Sequence, residues 1–230
     1  MRKIAAIVLT FLILLLGVQT SFAEYSAEEQ ARIMEEKRQL IEQMKGKSKE
    51  EQARMMEEFR NRIFNKQASS SAVTVQRKEE LQTKVEEFKD HRKAQIAERV
   101  STNLNTINDN RVNSMTKILE RFQTILDKLL GRVTTAEANG KDVAAAESAI
   151  ASAQTAIDEA MTVVETQAGK DYSLVVDDES TVRTDAQIKR QALMVDLKSA
   201  HEKIKAAKDE VVGAIRVSVT TLGKEEVDNE

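Results

Sequence analysis

His91 and His201 are the only histidines in the chain of 230 residues, and there is no cysteine. An imidazole could ligate a metal or move a proton, but these two stand far apart in sequence, on different predicted helices. His201-Glu202 does not continue as H-E-x-x-H, because position 205 is Lys205. Without cysteine, a zinc site would need both histidines and carboxylates together. The acidic run Asp177-Asp178-Glu179 could attract calcium, yet the spacing and glycine of an EF-hand loop are missing. A solvated acidic turn is the expectation there. A glycine-rich phosphate loop, a G-x-S-x-G elbow and a cysteine nucleophile are all absent from the sequence. Paired carboxylates are frequent, but they fall on charged helix faces. The inventory points away from an enzyme: no catalytic residue, cofactor, metal or small-molecule substrate is expected.

Composition says what must position the remaining side chains. Charged residues make up 32%, aromatic ones 3%, and proline and tryptophan are absent. That mixture fits long amphipathic helices better than an ordinary mixed core. At the start, Arg2 and Lys3 precede an apolar run from Ile4 to Val18, and Ser21-Phe22-Ala23 supplies small residues for cleavage. Residues 1–23 therefore read as a signal peptide, with an uncleaved N-terminal membrane anchor as the alternative. Removing Arg2 and Lys3 leaves 33 basic residues against 38 acidic ones, a net charge of −5. That balance gives no support for nucleic-acid binding.

Residues 24–66 contain a duplication. Ser26-Ala27-Glu28-Glu29-Gln30-Ala31-Arg32 recurs as Ser48-Lys49-Glu50-Glu51-Gln52-Ala53-Arg54, at an offset of 22 residues. Each copy opens with a capping box, Ser26 with Glu29 and Ser48 with Glu51. Gly46 stands where a left-handed residue would end the first helix. A helical hairpin is expected, with helices over 26–45 and 48–65. Its apolar faces carry Ile33, Met34, Leu40, Ile41 and Met44, then Met55, Met56, Phe59, Ile63 and Phe64. Residues 67–75, which include Ser69-Ser70-Ser71, read as a Ser-rich linker.

Residues 76–222 read as a three-helix bundle built on one very long helix, 76–137. Its apolar residues, with Arg92 and Arg111 filling two gaps, make 15 steps from Leu81 to Ala136. The step is about 3.67 residues, a helical period rather than the 3.5 of a left-handed coiled coil. Within it, Asn103, Asn105, Asn108, Asn110 and Asn113 form either a polar contact strip or an exposed face. Leu104, Ile107 and Met115 would then keep the seam. Asn139-Gly140 marks a turn with Asp142 as helix cap, and a second helix runs to about Ala168. Residues 170–183 break the pattern, with Tyr172 to Val176 suited to an extended segment over the bundle. The last helix starts at a Thr184–Gln187 capping box and ends at Gly223. Residues 223–230 form an acidic tail. The two later helices are expected to cover only the C-terminal half of the long one. The fold class is all-α: an elongated antiparallel helical bundle with an N-terminal helical hairpin.

Two resemblances follow. The capped starts Ser26-Ala27-Glu28-Glu29 and Ser48-Lys49-Glu50-Glu51 resemble the duplicated helix starts of Spy-type periplasmic chaperones, though the Thr and Gln of that family's signature are missing. This likeness is confined to the hairpin and implies a chaperone-like surface. Leu104-Asn105, Ile107-Asn108, Asn110-Arg111, Asn139-Gly140-Lys141-Asp142 and Tyr172 with Asp178-Glu179 look like a family of uncharacterised secreted helical proteins of candidate-phyla bacteria. That likeness implies a fold and an exported location, but no activity.

The expectation is a non-enzymatic, exported protein, periplasmic or extracellular. It would act through protein–protein contacts as a cell-envelope scaffold or spacer. The partner would be a protein of the cell envelope. A homo-oligomer is compatible with this reading, and membrane contact after signal cleavage is not expected. The alternative is a periplasmic holdase using the Met-rich hairpin. Candidate partner-binding residues are Ile33, Met34, Met44, Met55, Met56, Phe59 and Phe64 on the hairpin. On the long helix they are Asn103, Asn108, Asn110 and Arg111.

Overall fold

The computed structural model describes residues 27–47 and 49–223. The expected signal peptide, the capping residues Ser26 and Ser48, and the tail beyond Gly223 lie outside the described residues. The chain is all-α: helices α1 (Ala27–Lys45), α2 (Lys49–Glu86), α3 (His91–Ala138), α4 (Ala144–Ala168) and α5 (Val182–Leu222). No described helix is long and apolar enough to cross a membrane.

Contacts divide the chain after Glu36. Before that point, the start of α1 is helical, carries an Arg32–Glu36 ion pair and leaves Met34 exposed. Everything from Lys37 onward belongs to the second unit. There Ile41 and Met44 join the same core as Phe59 and Ile63 of α2. Lys45 reaches Glu137 at 2.6 Å and also pairs with Glu147, fixing the end of α1 to the α3–α4 corner.

The second hairpin helix does not stop at 65. α2 runs on through the Ser-rich stretch 67–75, which is helix and not linker. No Gly or Pro interrupts it, and serine costs a helix only a fraction of a kcal/mol per residue. Tertiary bonds also hold this stretch. Ser70 Oγ donates to the Lys170 carbonyl at 3.0 Å, and Thr74 Oγ1 donates to Asp171 at 3.0 Å.

The helix expected over 76–137 is in two pieces, with a reversal at Glu87–Asp90. Asp90 caps α3, its carboxylate accepting from Arg92 N at 3.0 Å. Glu179 accepts from Lys89 N at 3.0 Å and Asp90 N at 3.2 Å. The acidic run 177–179 thus closes a corner by satisfying backbone donors. α2 and α3 are antiparallel, as the pairs Arg60–Glu120 and Gln67–Asp109 require. α4 runs back along α3, and α5 runs beside α3 in the same direction, from Val182 near Ala97 to Leu222 at Lys141.

α4 covers about 37 Å of axis, roughly half the length of α3 at 1.5 Å per residue. Beyond it the chain continues in the same direction as a non-helical segment from Gly169 to Thr181. Tyr172, Leu174 and Val176 are buried there. Leu174 and Val176 share a core with Leu81, Val85, Phe88, Ala97 and Val182. This segment, with α2 and the start of α5, covers the N-terminal half of α3. α5 itself begins at Val182, two residues before the expected capping box, with Thr181 as its N-cap. Gly140, at φ 81°, takes the left-handed conformation at the α3–α4 turn. Gly46, expected to do the same, does not have positive φ.

Candidate partner-binding surface

The buried seam of α3 decides which of its faces remains free. Buried positions run Ala97, Ser101, Leu104, Asn108, Val112, Met115, Leu119, Gln123, Leu126, Leu130 and Val133. The mean step is about 3.6 residues, that of a straight α-helix. The apolar path read from sequence is displaced from this seam. Ile96, Ile107 and Ile125, expected inside, are 49%, 45% and 37% exposed. Polar residues take seam positions because each finds a partner.

Asn108 donates to the Gln167 carbonyl at 3.3 Å, and Gln167 Nε2 donates to Asn108 Oδ1 at 2.7 Å. Gln167 also donates to the Tyr172 hydroxyl at 2.7 Å, which donates in turn to Asp196 at 2.7 Å. Burial, aided by Asp196, pushes the Tyr172 phenol well above its ordinary range. Burial opposes charge on Asp196. Hydrogen bonds from Lys170 and Tyr172 outweigh it and hold the carboxyl below its usual value.

A second layer sits lower in the bundle. Gln123 and Gln154 exchange amide hydrogen bonds at 2.9 and 3.1 Å. Each also donates to the aspartate one turn on, Asp127 and Asp158, at 3.0 Å. Burial raises both aspartates above the usual carboxylate range. In a third layer, Asn105 Oδ1 accepts from Tyr172 N at 2.8 Å and its amide donates to Asp171 and Ser173. Ser101 Oγ accepts from Leu174 N at 3.2 Å. These side chains give the extended segment the partners its backbone lacks. Asp171 resists burial through hydrogen bonds from Ser173 and Thr74 and the charge of Arg77, so its carboxyl is held below normal.

The named candidates separate accordingly. Met44, Phe59 and Asn108 are buried at 5%, 1% and 1% exposure, and so are corrected from contact residues to core residues. The first two pack in the main core, and Asn108 is committed to Gln167. Met56 packs against that core and Ile33 is half-buried. Met34, Met55 and Phe64 are exposed at 55%, 39% and 69%. Asn103, Asn110 and Arg111 are exposed. At 3.6 residues per turn, Ile96, Asn103, Ile107, Asn110 and Ile125 share one outer face of α3, with Arg111 at its edge.

Beside that face lies an open groove of about 580 Å³ between α3 and α5. It is lined by Val100 and Leu104, then Arg183, Ala186, Arg190 and Met194 among others. The sequence reading missed this groove, because it followed only the apolar stripe of the last helix, and a single-chain pattern does not say which neighbour its Lys and Arg stand beside. His91 and His201 are exposed on separate helices, and no group of three or more metal-ligating side chains occurs among the described residues. No family model, curated protein or solved structure matches the chain.

Proposed function

We propose that this protein works by protein–protein contact, as a non-enzymatic scaffold or spacer at the cell envelope, with the outer face of α3 as its contact surface. One observation carries the reading. Three isoleucines, Ile96, Ile107 and Ile125, stand exposed on one face of a helix whose opposite face is fully packed. The three lie along one side of α3 over about 43 Å of axis, a line that suits a long partner helix with apolar residues at helical spacing. Asn103, Asn110 and Arg111, exposed on the same side or at its edge, offer hydrogen-bond donors and acceptors to an incoming partner. The envelope location rests on the leader read in residues 1–23. The test is capture from cell-envelope extracts by the full chain and by its Ile107→Glu variant. A saturable partner that the variant loses supports the reading. Recovery of nothing above background by the wild type contradicts it.

A second reading is a periplasmic holdase. Phe64, 69% exposed on α2, favours it, because exposed Phe and Met suit varied apolar clients. Burial of Met44 and Phe59 leaves less of the hairpin for this role than its composition suggests. Suppression of client aggregation that falls when Phe64 and Met55 become Ser would support it. Equal suppression by both chains, or none, would remove it.

A further inference from the structure

The groove between α3 and α5 has a charge pattern at odds with the chain as a whole. The chain carries a net charge of −3. Yet the groove lining carries Arg183 and Arg190 and no carboxylate, and the same side of α5 continues at helical spacing through Met194, Lys198, Lys205 and Lys208. Of the α5 acids, Asp196 faces Lys170, whereas Glu202 and Asp209 stand exposed beside the lower part of the stripe, below the groove lining. The α3 wall sorts its charges in the same way. Asp109 and Glu120 point to α2, where they meet Gln67 and Arg60. Arg111, exposed, follows Val100 and Leu104 at helical spacing farther along α3, beyond the groove lining. Of these cations only Lys198 has an ion pair among the described residues, an exposed 3.9 Å contact to Glu202 one turn away.

We infer that this groove receives an acidic amphipathic helix from a partner protein; the inference rests on the contact reading above and names the partner's chemistry. Three features select that occupant. The floor is apolar, formed by Val100 and Leu104 with the exposed Met194 on the α5 wall, so the occupant brings an apolar stripe. The α5 rim is cationic, with Arg183 and Arg190 in the lining and no carboxylate beside them, so the flanks of that stripe are acidic. The stripe from Arg183 to Lys208 spans about 38 Å, the length of roughly 25 helical residues. A flat bilayer does not reach Leu104, which is 6% exposed at the groove floor. A nucleic acid would find no aromatic side chain in the groove lining to stack on.

The probe is a fluorescein-labelled peptide of about 25 residues, with Leu at helical spacing and Glu on both flanks. Its binding to the full chain is read by anisotropy. Three competitors run beside it: the same peptide with Lys for Glu, vesicles of phosphatidylglycerol and phosphatidylcholine, and a single-stranded oligonucleotide. The acidic peptide should bind saturably and more weakly at high salt. Affinity should fall about tenfold or more in the Arg183→Glu/Arg190→Glu variant and be kept in Arg183→Lys/Arg190→Lys. Both arginines are exposed, so unchanged helicity and melting temperature verify the fold of each variant. Equal binding by the Glu variant, equal binding of the Lys peptide, or tighter binding to vesicles or oligonucleotide overturns the inference. Envelope capture separates this failure from that of the contact reading. A partner kept by the Glu variant overturns the groove alone, and a blank capture by the wild type overturns the contact reading as well.

Discussion

The two halves of the helical unit are held by different means. Around α4, the core is alanine and branched aliphatic: Ala146, Ile150, Ala153, Ile157, Ala160 and Val164 are all fully buried. Small residues at every second contact let α3, α4 and α5 approach closely, and burial of each Ile or Val contributes about 1.5–3 kcal/mol. At the other end the helix gives way to the segment Gly169–Thr181. A helix satisfies its own backbone; an extended segment between helices does not. Asn105, Ser101, Ser70 and Glu179 therefore reach out to serve backbone groups or neighbouring turns. Where regular structure ends, polar side chains replace it, and they are the ones that look like surface residues in the sequence.

The largest effect should come from cutting the aliphatic half. Ile157→Ala removes a fully buried side chain and should cost about 3–4 kcal/mol, read as a drop in the denaturant midpoint with little change in slope. Next, Asn105→Ala strips the acceptor from Tyr172 N and the donor from Asp171 and Ser173. We expect about 2–3 kcal/mol. The loss should be local: amide exchange at residues 172–176 should quicken while residues 146–164 stay protected. Equal loss of protection in both regions would erase the distinction between the halves.

The Gln123–Gln154 layer tests whether polar seams in the aliphatic half matter for stability. Gln123→Leu removes the donor to Gln154 Oε1 and to Asp127, while Gln154 keeps its bond to Asp158; it should cost about 1–2 kcal/mol. Changing both to Leu should recover most of that, as a paired apolar replacement does. A double variant as unstable as Gln123→Leu, or more so, would contradict this.

The smallest effect concerns pH, and the two regions should move in opposite directions. Asp171 has a depressed pKa in the folded state. Its contribution is present above the ordinary carboxyl pKa and is lost as pH falls through the folded value. Asp127 and Asp158 have raised values. They cost stability as pH rises from below the ordinary carboxyl pKa through the folded value, and acidification relieves that cost. Asp171→Asn should therefore destabilise most at neutral pH, by about 1 kcal/mol, and less in acid. Asp158→Asn should be neutral or stabilising at neutral pH, with the difference from wild type fading in acid.

The same division sets what could be read from the sequence. The all-α class and the stripe of α4 were legible because Val143, Ala146, Ile150, Ala153, Ile157, Ala160 and Val164 repeat at helical spacing and lie inside. The seam of α3 was drawn through Ile96, Ile107 and Ile125 because hydrophobicity ranks them above Ser101, Asn108 and Gln123. Pairing across the bundle reverses that ranking, and no single-chain pattern announces a partner such as Gln167. The α2–α3 corner was hidden for the same reason. Glu87 to Asp90 contains neither Gly nor Pro, and Glu179, which caps it, lies 89 positions beyond Asp90. Of the candidate contact residues, Asn103, Asn110 and Arg111 lie on the exposed side of α3 and Asn108 does not, because one position along a helix turns a side chain by about 100°.

The most direct test of the contact surface is photo-crosslinking in cells. A photoreactive residue placed at Ile107 on the outer face of α3 is compared with one at Val195, which is more exposed (60% against 45%) and lies on α5. The account predicts a discrete adduct of higher mass from position 107 and none from position 195. Adducts of equal yield from both positions, or none from either, would contradict it.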